Sequence, residues 1–150
     1  MTDLPEKLAG TISNFETVDD PDFRSTMLID YADRFQEVPE RISTRPFPKD
    51  RQVPFCESEA YVWLEPLPDK KVKLHFAVEN PSGISAKALA AVLDQTLSGL
   101  PPEEIAKVSP EIVYKLFGRN ISMGKGQGLT ALVTMVKTEA QKLASGSPEA

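Results

Sequence analysis

Two short stretches in the middle of the chain alternate apolar and polar residues, and they constrain the fold more than any other feature. Ala60, Val62 and Leu64 fall on one face of the first stretch, and Val72, Leu74, Phe76 and Val78 on one face of the second. Side chains in an extended chain point alternately to opposite sides, so each stretch predicts a strand with one apolar face. The turn-forming residues from Pro66 to Lys71 join the two into an antiparallel hairpin with one buried face. Such a face must be covered, and the rest of the chain supplies the cover.

Leu4, Leu8, Ile12 and Phe15 recur at helical spacing, as do Phe23, Met27, Leu28, Tyr31 and Phe35. Asp20-Pro21 offers the second run a capping side chain and a first-turn proline. Between Gln36 and Pro54 the prolines Pro39, Pro46, Pro48 and Pro54 deny the backbone helical hydrogen bonds, which predicts a long surface connection. Beyond the strands, Ser85 opens a helical run through Leu89, Val92, Leu93 and Leu97 that Gly99 stops. Ser109-Pro110 opens a short one ended by Gly118, and Leu129, Leu132, Val133, Val136 and Leu143 mark a last helix. Gly124-Lys125-Gly126-Gln127-Gly128 reads as a flexible lead into that helix, and residues 145–150 as a disordered tail. Helices at both ends with strands between them predict an α+β domain, an antiparallel sheet of about three strands covered by helices, formed by residues 1–150 as one unit.

Several function classes are excluded at this level. The net charge of -5 on 150 residues lacks the basic stripe that a phosphate backbone requires, so no nucleic acid partner is expected. No apolar run approaches the ~18 residues that cross a bilayer, and Met1-Thr2-Asp3 is acidic where a signal segment is basic, so the expected location is cytoplasmic without a membrane partner. One cysteine closes no internal disulfide and builds neither a multi-cysteine zinc site nor a cluster site by itself.

Cys56 stands where the proline-rich connection meets the first strand, a junction that can present a side chain at a loop tip backed by rigid elements. Context alone favours a small buried hydrophobe, since free cysteine is among the most buried residue types. Lys49 and Arg51 favour a thiolate nearby, while Glu57 and Glu59 oppose it. His75, the only histidine, is the one base available to a cysteine hydrolase, yet its register beside Lys73 predicts a solvated sheet face. A phosphate loop at Gly124 to Gly128 fails on spacing, and Lys125 is followed by glycine where serine or threonine is needed.

The segment Val53-Pro54-Phe55-Cys56-Glu57-Ser58-Glu59-Ala60-Tyr61 resembles the signature of the SufE family of Fe-S cluster assembly proteins, a Val-Pro-Gly-Cys-x-Ser-x-Val-Trp type of sequence. Lys87-Ala88-Leu89 is similar to the family's Lys-Gly-Leu at a helix start. Gly124 to Leu129 is similar to its Ser-Arg-Ser-Asn-Gly-Leu before the last helix, and Gly99 to Ile105 to its turn into a short helix. Three positions depart from the pattern: Phe55 stands for glycine, Tyr61 for tryptophan and Lys125 for arginine.

The resemblance implies a SufE/IscU-like fold and a sulfur acceptor that activates a SufS-like cysteine desulfurase, with Cys56 carrying persulfide sulfur to an Fe-S scaffold. The chain itself then needs no cofactor, the pyridoxal phosphate belonging to the desulfurase, and it works as monomer or homodimer. In that reading Val53 and Phe55 shield the sulfur, while Arg51 and Lys125 dock the partner. A cysteine hydrolase of Cys56 and His75, a cluster scaffold, and an interaction domain with an inert cysteine are the rival expectations.

Overall fold

The computed structural model describes residues 4–146. Helix α1 (Glu6–Glu16) buries Leu8, Ile12 and Phe15, the stripe that its spacing predicts. Helix α2 (Pro21–Asp33) begins at the predicted cap, where the Asp20 carboxylate accepts a hydrogen bond from the Asp22 amide at 2.9 Å. Its stripe is only half used: Met27, Leu28 and Tyr31 pack against the core, while Phe23 stays 56% exposed.

Strands β1 (Ala60–Leu67) and β2 (Lys71–Val78) pair antiparallel from Ala60 opposite Val78 to Leu67 opposite Lys71. Among the described residues the sheet has these two strands, fewer than the three expected. Single bridges stand in for further strands, with Glu37 and Leu100 against β2 and Gln52 against β1. Each pairs through one residue because the prolines around it end the extended run.

Helix α3 (Ile84–Leu97) is the central element, with Leu89, Leu93 and Leu97 fully buried against the hairpin. Burial of each such side chain stabilises the fold by roughly 1.5–3 kcal/mol. The cap is Gly83, in place of the expected Ser85, which falls inside the first turn. Two short helices follow, α4 (Pro102–Ile105) and α5 (Ile112–Phe117). The second ends at Gly118, whose φ of 88° is one that glycine adopts freely. Helix α6 (Met123–Ala144) then crosses the back of the molecule, burying Leu129, Leu132, Val133 and Val136. It starts at Ser122, so the glycine-rich stretch expected to be a flexible lead is its first two turns. Of the expected tail, Ser145 caps α6, and 147–150 lie outside the described residues. No helix among the described residues is long and apolar enough to cross a membrane.

The hairpin is covered on both faces, not one. Val62, Leu64, Leu74 and Phe76 join the helical core, while Trp63 and Ala77 on the opposite face lie under Val38 and Phe47 of the proline-rich connection. Phe47 meets Trp63 edge-on at 5.4 Å between ring centres, and Arg45 beside it pairs with Glu37 at 2.7 Å and Glu79 at 2.8 Å. Rings hold the connection down and ion pairs fasten its rim.

Candidate functional site around Cys56

The loop carrying Cys56 is closed at its base by backbone pairing. The Val53 amide donates to the Ala60 carbonyl at 2.8 Å, and Gln52 bridges Tyr61 one step further out. Inside the loop the Glu59 amide donates to the Cys56 carbonyl at 3.1 Å, and the Asn80 amide to the Ser58 carbonyl at 3.1 Å. Two residues take left-handed backbone to fit this turn, Phe55 with φ 62° and Glu59 with φ 54°. For a residue with a Cβ that geometry costs roughly 1–2 kcal/mol.

Beneath the loop runs the start of α6. A Cβ on Gly128 would lie 3.1 Å from both the Cys56 Cα and the Phe55 carbonyl oxygen, and a Cβ on Gly126 would lie 3.2 Å from the Tyr114 hydroxyl. Gly128 sits in a helix despite its propensity cost because loop and helix touch backbone to backbone there, and Gly126 because the Tyr114 side chain packs against it. On the other flank Gly83 leaves room for Ser58, whose Cβ would lie 3.0 Å from one built on Gly83.

Cys56 is half-buried, packed against the helical core on one side and open on the other. It lies between two clefts. One, of about 340 Å³, is bordered by Ser58, Gly83, Ile84, Ser122 and Lys125 as well as Cys56. The other, of about 600 Å³, is bordered by Lys49, Pro54, Phe55 and Gln127. The first turns of α3 and α6 both face the smaller cleft, so the partial positive charge at each helix start favours negative charge in it. Lys125, exposed and in no ion pair among the described residues, adds a full positive charge at the same rim, and Glu57, also exposed, sets a negative one against it. The arrangement can hold an anionic sulfur chain while leaving a path for it from solvent.

A family model described as "SufE: Fe-S metabolism associated domain" matches residues 9–140. The chain belongs to the SufE family. It is 25% identical to SufE-like protein 1, chloroplastic/mitochondrial, of Arabidopsis thaliana over 94% of its own length, and 28% identical to cysteine desulfuration protein SufE of Plasmodium falciparum over 73%. It spans only 36% and 43% of the length of those two relatives. A SufE-like protein of Synechocystis is 27% identical, with 91% of this chain and 82% of that one matched. The solution structure of a hypothetical protein from Thermus thermophilus shares the fold, with a TM-score of 0.71 and 24% identity over 95% of this chain and 98% of that one.

The segment that resembles the SufE signature lies on the loop just described, and the position where that pattern has glycine is the left-handed Phe55. Phe55 is 73% exposed, whereas Val53 is buried in the core. Arg51 is buried too: its guanidinium faces the Glu139 carboxylate of α6 at 3.5 Å, which pins the base of the loop to the helix. Lys125 alone of the two expected docking cations stands at the rim.

His75 is not on a solvated face. The proline-rich connection buries it beside Trp63, and its Nε2 meets Glu65 at 2.8 Å. Cys56 packs on the opposite side of the hairpin, so the two cannot form a dyad. Hydrogen bonds from Arg41 and His75 hold the Glu65 carboxyl at about 2. No group of three or more metal-ligating side chains occurs among the described residues. Sequence reasoning passed over Gly83 and Ser122 and read Gly128 as part of a flexible lead; the signal for Gly128 was present as a glycine beside a helical pattern, which implies close packing.

Proposed function

We propose that this chain is a sulfur acceptor and activator for a SufS-like cysteine desulfurase and passes the sulfur to an Fe-S scaffold in the cytoplasm. The observation that carries the reading is the position of Cys56, half-buried at a loop tip between two clefts and faced by two helix starts and Lys125. In the step proposed, the Cys56 thiolate attacks the outer sulfur of a persulfide on the desulfurase cysteine. A new S–S bond forms on Cys56, the old one breaks, and its electron pair leaves on the desulfurase cysteine as a thiolate. No external oxidant or reductant enters, and pyridoxal phosphate stays with the partner.

The helix starts and Lys125 favour the negative charge of the terminal sulfur once it is bound. Val53 and the α6 backbone at Gly128 shield the sulfur from the core side, which slows its climb up the oxidation ladder. Lys125 guides docking; Arg51, occupied by Glu139, supports the loop instead.

The test is intact-mass measurement after mixing with a cysteine desulfurase and free cysteine. Gain of one or more sulfur atoms, reversed by a reductant and absent in Cys56→Ser, is the expected result. An unchanged mass beside an active desulfurase removes the acceptor role.

A further inference from the structure

Among the described residues, one buried side-chain polar atom lacks a hydrogen-bond partner: Oε1 of Glu139, in a residue that is only 4% exposed. The other oxygen, Oε2, faces Arg51 at 3.5 Å and Lys142 at 3.4 Å. Folded chains leave few buried acceptors unbonded, because each gives up its hydration and gains nothing in return.

Glu139 also borders a groove of about 500 Å³ between α6 and the segment that leads to Cys56. Pro54 and Phe55 contribute apolar lining from that segment, and Ala131 and Met135 contribute it from the helix. The remaining lining, Gln127 and three threonines, is uncharged. Cys56 does not border this groove, so it is separate from the two clefts beside the thiol. A cavity of this size, mostly apolar with one fixed polar group, matches the usual make-up of a small-molecule site.

The charges narrow the ligand. Arg51 and Lys142 already set two positive charges against the one carboxylate, so a further cation is repelled, and an anion meets Glu139 itself. What the groove lacks is a neutral donor. The terminal torsion of a glutamate is soft, and a small rotation presents Oε1 to a donor in the groove.

We infer that this groove binds a neutral, largely aromatic molecule with one N–H or O–H group, the donor reaching Glu139 Oε1 and the ring lying against Phe55 and Met135. Aromatic faces and a thioether sulfur are favourable neighbours for such a ring. Because the walls belong to α6 and to the Cys56 loop, an occupant ties the two together and slows access to the thiol.

Indole is the probe, and N-methylindole, which lacks the donor, is its control. Titration of the intact isotope-labelled chain, followed by backbone amide shifts in nuclear magnetic resonance, should saturate at about millimolar indole with the shifts centred on Thr134 and Met135. N-methylindole should bind about tenfold or more weakly, the value of a hydrogen bond to a charged acceptor. In the double variant Arg51→Met with Glu139→Leu, which replaces the buried pair by apolar side chains, the two probes should bind alike. Thr134→Phe, at an exposed position, fills the groove and should abolish the saturable shifts. With indole near saturation, a thiol reagent should label Cys56 of the parent about twofold more slowly. Equal affinity of the two probes for the parent overturns the inference and leaves Oε1 to a water molecule. Absence of saturable shifts on α6 overturns it as well, as does a preference for indole that survives in the double variant. An unchanged labelling rate at saturation overturns the tie between groove and thiol.

Discussion

Adding one methyl group at Gly128 tests whether backbone contact between α6 and the Cys56 loop is what positions the thiol. In Gly128→Ala the new Cβ would lie 3.1 Å from the Cys56 Cα and 3.1 Å from the Phe55 carbonyl oxygen, closer than ordinary van der Waals contact. The neighbours are loop backbone and must retreat by a few tenths of an ångström. Alanine gains about 0.8–1.0 kcal/mol over glycine inside a helix. Overpacking a tight contact costs about 1–3 kcal/mol. The net expected change is a destabilisation of about 0–2 kcal/mol, a fall in Tm of up to ~8 °C for a domain of this size. Gly124→Ala, in the same helix with nothing within 4 Å of the new Cβ, meets no such cost and should raise Tm slightly. Scanning calorimetry gives the stabilities, and the labelling rate of Cys56 by a thiol reagent reads the loop. The rate should rise in Gly128→Ala, because the loop is pushed off the helix, and stay constant in Gly124→Ala. Equal gains in Tm with equal labelling rates would falsify the close-approach argument.

Arg51→Met leaves the buried Glu139 carboxylate facing only Lys142 at 3.4 Å, and urea denaturation should show a loss of about 3 kcal/mol, partly recovered by adding Glu139→Leu. Glu65 is depressed to about 2 in the fold from an ordinary 4.5, so its contribution is full above pH ~4.5 and is lost as pH falls toward 2. An acid-unfolding series should therefore be shallower over that window in Glu65→Gln. His75→Ala removes a buried partner of Glu65 and should cost about 1–3 kcal/mol. Sulfur uptake at Cys56 should survive it; complete loss in a folded variant would revive the dyad.

Local signals were legible where one element suffices to make them. Asp20-Pro21 marked the start of α2, the alternation at Ala60 to Leu64 and Val72 to Val78 marked both strands, and Gly118 marked the end of α5. What escaped depends on parts of the chain far apart in sequence. His75 reads as solvated from strand register, and only the return of Val38 and Phe47 over that face buries it. The glycines of α6 read as flexible because propensity counts against them, whereas contact with the Cys56 and Tyr114 segments decides their conformation. Arg51 read as a docking cation for want of any hint that Glu139, far along the chain, would neutralise it. Cys56 itself was placed by its neighbours in sequence, and its two clefts by residues from α3 and α6 that no local pattern connects to it.

The single-residue bridges flanking the hairpin matter for the life of the protein in a crowded solution. Glu37 and Leu100 occupy the outer rim of β2, and Gln52 that of β1, each for one residue only. A naked pair of eight-residue strands would offer unpaired amides and carbonyls to any similar strand that collided with it. Here each rim is interrupted and covered by chain that cannot itself extend the ladder. The molecule can therefore keep a small sheet without inviting fibril growth, and mutations that peel off the segment at Glu37 should be recognised first by precipitation on storage.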